Sequence, residues 1–160
     1  DHKLVPIVRY NEEVIYDSWK IFLWLNNKIK QIKLIPNDQT KIFSHYLYFW
    51  TSKTLLPIIF KLIANDIPNI LDEKDKQYFI QTREKIIKTT LKSLLIDKEK
   101  TKKRLFQSLI MFEKILTDNK FLNGNAPVFQ TLYFLVTLFG PKNVVLKIYL
   151  KIYPILINGT

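Results

Sequence analysis

Asp17 and Ser18 are the first residues whose types and order invite a chemical reading. They stand directly ahead of Ile21, Phe22, Leu25 and Ile29, apolar residues recurring every three or four positions. Two oxygen-bearing side chains in that place supply acceptors for the orphan N–H groups of a helix start, so the spacing predicts a capped amphipathic helix beginning here. Tyr10 and Tyr16 bring phenol hydroxyls near in sequence and read as surface or packing groups. Nucleophile and metal chemistry have little to work with. There is no cysteine, and the histidines are two, His2 and His45. Disulfides, thiolate zinc, iron–sulfur clusters and a cysteine nucleophile are therefore not available to these residues. No metal site is expected, and no catalytic residue is assigned.

The elements that must position this pair differ along the chain. Leu4, Val5, Ile7 and Val8 are β-prone and interrupted by Pro6, Tyr10-Asn11-Glu12 supplies a turn, and Val14-Ile15-Tyr16 forms a second short run, together predicting a β-hairpin. Pro6 cannot donate to a ladder and must lie at an edge or end a pairing, for which a cis peptide is one route. From Asp38 onward the periodicity is helical. A segment over about 40–64 contains Pro57, which should kink or restart it. Another, over about 72–96, opens on Asp72-Glu73-Lys74-Asp75 and places Phe79, Ile80, Ile87, Leu91, Leu94 and Leu95 on one broad face. A third, over about 101–118, carries Leu105, Phe106, Leu109, Ile110, Phe112 and Leu116. A nearly uniformly apolar helix over 128–139 and an amphipathic one over about 142–152 complete the reading. At 160 residues and 48% hydrophobic composition the chain can bury a core, and disorder is not expected. No apolar run reaches the roughly 18 residues of a membrane span.

The formal charge of +11 points first to polyanions. Only Arg9, Arg83 and Arg104 are arginines, so the basic residues are overwhelmingly lysine and lack the bidentate fork of sequence-specific nucleic-acid sites. The densest cluster, Lys98, Lys100, Lys102, Lys103 and Arg104, reads as a solvated helix start before it reads as a phosphate-binding patch. Abundant lysine, isoleucine and asparagine are equally what an A/T-rich genome would give. Nucleic acid is not the expected partner.

The order of these elements and several motifs resemble the glutathione S-transferase family. Lys3-Leu4-Val5-Pro6-Ile7-Val8 is similar to its strand with a cis-proline. Val14-Ile15-Tyr16-Asp17-Ser18-Trp19-Lys20-Ile21, followed by Trp24-Leu25, resembles its next strand and helix. Leu71-Asp72-Glu73-Lys74-Asp75-Lys76-Gln77-Tyr78-Phe79, Thr82-Arg83-Glu84-Lys85 and Thr89-Thr90-Leu91 look like the branch of bacterial β-etherases and related fungal glutathione transferases. Phe121-Leu122-Asn123-Gly124-Asn125-Ala126-Pro127 resembles the phrase before the family's central helix, and Tyr153-Pro154-Ile155-Leu156 its ending. Val128 and Thr131 stand where the family usually has the reciprocal cap of that helix.

The resemblance implies an α+β, mostly α fold. Residues 1–30 would be the C-terminal part of a thioredoxin-like domain, a β-hairpin plus helix; 31–38 a linker; and 39–160 the all-helical glutathione transferase C-terminal domain. It implies glutathione as ligand. Val5 would pair by its backbone with the cysteine moiety beside Pro6, while Asp17 and Ser18 would hold the γ-glutamyl ammonium and carboxylate. Tyr46, Tyr48, Phe49 and Trp50 fall where the family builds its hydrophobic pocket, although at helical spacing such a set also makes core or interface. The family's thiol-activating residue lies upstream of the Val-Pro strand, where this sequence has Asp1, His2 and Lys3. The expectation is therefore a glutathione transferase-like binding or structural subunit of a larger assembly, without catalysis of its own. The alternatives are an ordinary etherase-like transferase given without its N-terminal segment, and a basic helical module for nucleic acid or membrane surface. Partners would be other subunits or a second copy, one of which, or an upstream segment, would cover the hairpin edge. The compartment implied is intracellular, cytoplasmic or mitochondrial.

Overall fold

The computed structural model of the chain describes residues 6–28 and 35–124. Val5, the helices expected over 128–139 and 142–152, the cap positions Val128 and Thr131 and the ending at Tyr153 lie outside the described residues.

The chain opens on a two-stranded antiparallel hairpin, β1 (Ile7–Tyr10) and β2 (Glu13–Tyr16), with Ile7 opposite Tyr16 and Tyr10 opposite Glu13. Asn11 makes the two-residue turn possible by adopting a φ of 52°, a conformation that asparagine tolerates better than most residues. Pro6 is exposed and sits immediately before β1, so it ends the pairing as its missing N–H requires. Helix α1 (Ser18–Lys28) follows and buries Trp19, Ile21 and Phe22.

The remaining described elements are helical: α2 (Asp38–Trp50), α3 (Leu56–Ile63), α4 (Glu73–Ile87) and α5 (Lys98–Asp118). The architecture is thus α+β and mostly α, a hairpin and helix followed by an all-helical part, as the resemblance implied. The core lies between α2, α3 and α5. Leu47, Leu55, Ile58, Ile59, Leu62 and Ile63 meet Leu105, Leu109 and Leu122 there, with Phe43, Trp50, Phe112 and Ile115 packed around them.

Helix starts follow the side-chain chemistry. Asn37 Oδ1 accepts from Thr40 N–H at 2.8 Å at the head of α2, and Asp72 Oδ1 accepts from Asp75 N–H at 2.9 Å at the head of α4. The long segment does restart at Pro57, which stands in the first turn of α3, although the chain stays helical from Asp38 to Ile63. A π-helical turn over Thr51–Leu55 absorbs the proline, with Leu56 N–H reaching back five residues to the Thr51 carbonyl. The wider turn leaves room for the proline ring, and α2 passes into α3 without a non-helical residue between them.

The segment expected as a single helix over 72–96 is two. Helix α4 stops where Lys88 takes a left-handed φ of 56°, and the chain resumes as a 3₁₀ turn over Leu91–Leu95. Glu84 Oε1 accepts from Leu91 N–H at 2.8 Å, and Thr90 Oγ1 accepts from Ser93 N–H at 3.2 Å. The two pieces of the Thr82-Arg83-Glu84-Lys85 and Thr89-Thr90-Leu91 phrase are therefore joined by a side-chain bond that holds the break. After α5, Phe121 and Gly124 exchange backbone bonds of 2.9 and 3.0 Å around a tight turn that drops Leu122 into the core. Gly124 has a φ of 88°, which disfavours a side chain at this position.

The π turn carries one polar anomaly. Thr51 is 1% exposed and its Oγ1 has no hydrogen-bond partner among the described residues. An unmet buried hydroxyl costs about 1–3 kcal/mol, and valine has nearly the same shape. Thr51→Val is expected to raise the urea midpoint by an amount equivalent to about 1 kcal/mol at unchanged m-value. A lower midpoint would mean that the hydroxyl is satisfied.

Candidate functional site

The site is built where β2 hands over to α1. Asp17, between them, has a φ of 77°. Left-handed backbone is costly for a side-chain-bearing residue, and aspartate is among those that accept it because it can bond locally. Here it does so. Asp17 Oδ1 accepts from Trp19 N–H at 3.0 Å and from Lys20 N–H at 3.1 Å, and the Asp17 carbonyl accepts from Ile21 N–H at 2.9 Å. Among the described residues, Asp17 Oδ2, Ser18 N–H and Ser18 Oγ are left without partners.

This division decides what the pair can do. Capping consumes one carboxylate oxygen and two amides that would otherwise be free for an anion. What remains is one acceptor with negative charge and two donors on adjacent residues, at the positive end of the α1 dipole. Such a set can take an ammonium on Asp17 and a carboxylate on Ser18, the two charged groups of an α-amino acid. Capping and ligand binding are thus compatible, because they use different oxygens of Asp17.

Ring packing holds the pair in place. Trp19, 8% exposed, stacks on His45 of α2 with centroids 4.4 Å apart and planes 9° from parallel, and it packs against Tyr48 at 5.8 Å and Phe22 at 5.6 Å. The far end of α1 is tied to the hairpin. Trp24 Nε1–H donates to Glu13 Oε2 at 2.6 Å, Tyr10 meets Trp24 edge-on at 5.5 Å, and Lys28 Nζ lies over both rings and 3.5 Å from Glu13. Lys20 Nζ covers Tyr16 at 5.5 Å. Asn26 Oδ1 accepts from Ile35 N–H at 3.1 Å, anchoring the end of the connection to the bundle. The charged contacts are exposed and individually weak, so the aromatic packing carries most of this orientation.

The four aromatic candidates on α2 do not form one group. Tyr48 and Phe49 meet at 5.7 Å, and Tyr48 joins the Trp19 contact. Trp50 points to α5, 5.1 Å from Phe112, and belongs to the bundle core. Tyr46 is 62% exposed. Pro6 is exposed ahead of β1 and Val5 lies outside the described residues, so the backbone pairing expected beside Pro6 has no described geometry. Trp19 and His45, absent from the candidates, are the residues that fix the site. Their signal was the Trp immediately after Ser18 and the one histidine within the aromatic run of α2. Among the described residues no group of three or more His, Cys, Asp or Glu side chains could hold a metal ion, and no helix is long and apolar enough to cross a membrane.

Comparison with known families gives a match over residues 42–140, well over half the chain, to a model described as Glutathione S-transferase, C-terminal domain. The matched span starts inside α2 and takes in α3, α4 and α5. No curated protein matches the chain significantly.

Proposed function

We propose that this chain, which belongs to the glutathione S-transferase family, binds glutathione by its γ-glutamyl end at the start of α1 and serves as a binding or structural subunit. The observation that carries the reading is the divided use of Asp17: Oδ1 caps the helix, while among the described residues Oδ2 and the donors of Ser18 have no partner and are available to an ammonium and a carboxylate. Residues 1–30 act as the ligand-binding part and 39–160 as the helical domain, with 31–38 between them. Val5 and Pro6 take the cysteine moiety.

One observation, and one consequence of the reading itself, favour binding over thiol activation by the described groups. Tyr10 and Tyr16, the hydroxyls nearest the site in sequence, are packing partners of Lys28 and Lys20. Thiol activation needs a hydroxyl or helix start aimed at the sulfur, and the start of α1 is committed to the opposite end of the tripeptide. The partner role is supported by Ile42, Tyr46 and Phe49, 71%, 62% and 50% exposed, which line one stripe of α2 at intervals of four and three residues. A second copy or another subunit would cover it.

Calorimetric titration with glutathione and with the dipeptide cysteinylglycine tests this reading. Saturable binding of glutathione alone is expected, because the dipeptide carries its ammonium and its carboxylate at opposite ends and not on one carbon, as adjacent Asp17 and Ser18 require. Equal responses to the two ligands, or none to either, contradict the assignment. Turnover of a hydrophobic electrophile by the chain would contradict the binding-only part.

A further inference from the structure

We propose that the outer face of α5, with the turn leading into it, docks on the surface of an anionic lipid bilayer. At 100° per residue, Lys100, Lys103, Arg104, Met111 and Lys114 fall on the side of α5 opposite the buried Leu105 and Leu109, and all five are exposed. Ile96, at the turn before the helix, is 85% exposed, and Met111 is 63% exposed. Lys92 lies exposed in the preceding 3₁₀ turn. Residues 88–104 hold seven basic and two acidic side chains, and the Glu99 carboxylate is engaged by Lys102 at 2.6 Å.

Local stability does not call for this arrangement. Cations in the first turns of a helix oppose its dipole. Helix α4 balances Lys74 and Lys76 with Glu73 and Asp75 in its opening turn, whereas α5 sets Glu99 alone against Lys98, Lys100, Lys102, Lys103 and Arg104. A face that combines exposed apolar side chains with lysines fits a headgroup layer. The ammonium groups meet lipid phosphates and carboxylates, and Ile96 and Met111 reach the acyl boundary. Clusters of about four to eight basic residues suffice for such attachment. A nucleic-acid duplex fits the face less well. It would use the arginine fork or ring stacking, and the face offers one arginine and no ring, while Ile96 would gain nothing from a phosphodiester backbone. The face is separate from the Asp17–Ser18 site, and the two proposals stand or fall independently.

Flotation of the whole chain with phosphatidylcholine vesicles containing about one-third phosphatidylserine tests the proposal. At about 0.1 M salt or below, the protein should float with these vesicles and stay behind with pure phosphatidylcholine. The triple substitution Lys100→Glu, Lys103→Glu, Arg104→Glu should cut the floated fraction at least tenfold, and Ile96→Ser severalfold, both with unchanged helical circular dichroism. Should the triple variant unfold, Ile96→Ser and the salt series decide. No flotation with anionic vesicles, flotation indifferent to salt and to Ile96→Ser, or tighter retention on a DNA duplex than on the vesicles would overturn the proposal.

Discussion

Leu55→Ala is expected to lower the stability of the chain by about 2–5 kcal/mol, a large share of the roughly 5–15 kcal/mol typical of a domain. Leu55 closes the π turn, is 0% exposed, and belongs to the cluster in which α2 and α3 meet α5. Truncation removes the transfer free energy of the missing methyl groups and leaves a cavity. A close-packed cluster drawn from α2, the π turn, α3 and α5 has little freedom to collapse into it. Leu56, the next residue, is 39% exposed, and Leu56→Ala should cost less than about 1 kcal/mol. Urea unfolding of the pair measures both, with the midpoint shifting and the m-value constant. Equal losses for the two variants would mean that the turn does not present Leu55 to the core.

Ser18→Ala is expected to weaken glutathione binding by about tenfold to a hundredfold, the range of a hydrogen bond to a charged group. The helix should stay intact, because the Ser18 hydroxyl makes no bond among the described residues. Asp17 needs two substitutions to be read. Asp17→Asn keeps an oxygen that can accept from Trp19 and Lys20 N–H and keeps a residue tolerant of the φ of 77°. It should preserve the melting temperature while weakening glutathione about tenfold through loss of charge. Asp17→Ala should lose affinity and, in addition, about 0.5–2 kcal/mol of stability with the cap. If Asp17→Asn binds like the unaltered protein while Asp17→Ala does not, the residue is a cap and nothing more.

Much of this arrangement was legible in the residues. The hairpin and the heads of α1 and α4 are written in Pro6, Asn11, Asp17 and Asp72, residues whose backbone and capping chemistry is local, whereas the cap of α2 at Asn37 was passed over. The break after α4 was hidden because Phe79, Ile80, Ile87, Leu91, Leu94 and Leu95 keep helical spacing across it. Periodicity cannot register a left-handed Lys88 or a Glu84 side chain that folds forward to Leu91. The Thr89-Thr90 pair followed by Ser93 was the available signal, a cap motif inside an apolar pattern.

At the site, the sequence posed a choice between capping and binding for Asp17 and Ser18; the geometry gives the cap to Oδ1 and, among the described residues, leaves Oδ2 unengaged, so the two uses do not compete. The aromatic run on α2 was read as one pocket or interface. A helix turns its residues outward in different directions, so Tyr48, Trp50 and Tyr46 reach α1, α5 and solvent respectively. The stack of Trp19 on His45 joins residues 26 positions apart and no local pattern announces it.

The central claim is that the γ-glutamyl group sits on Asp17 Oδ2 and Ser18 while the cap stays in place. Amide chemical shifts of the isotope-labelled chain, followed as glutathione is added, report on it residue by residue. The Ser18 amide should move furthest and saturate, and the Trp19 and Lys20 amides, held by Asp17 Oδ1, should move less. A Ser18 amide that stays still while glutathione saturates the protein, or shifts centred on residues away from the β2–α1 junction, would contradict the claim.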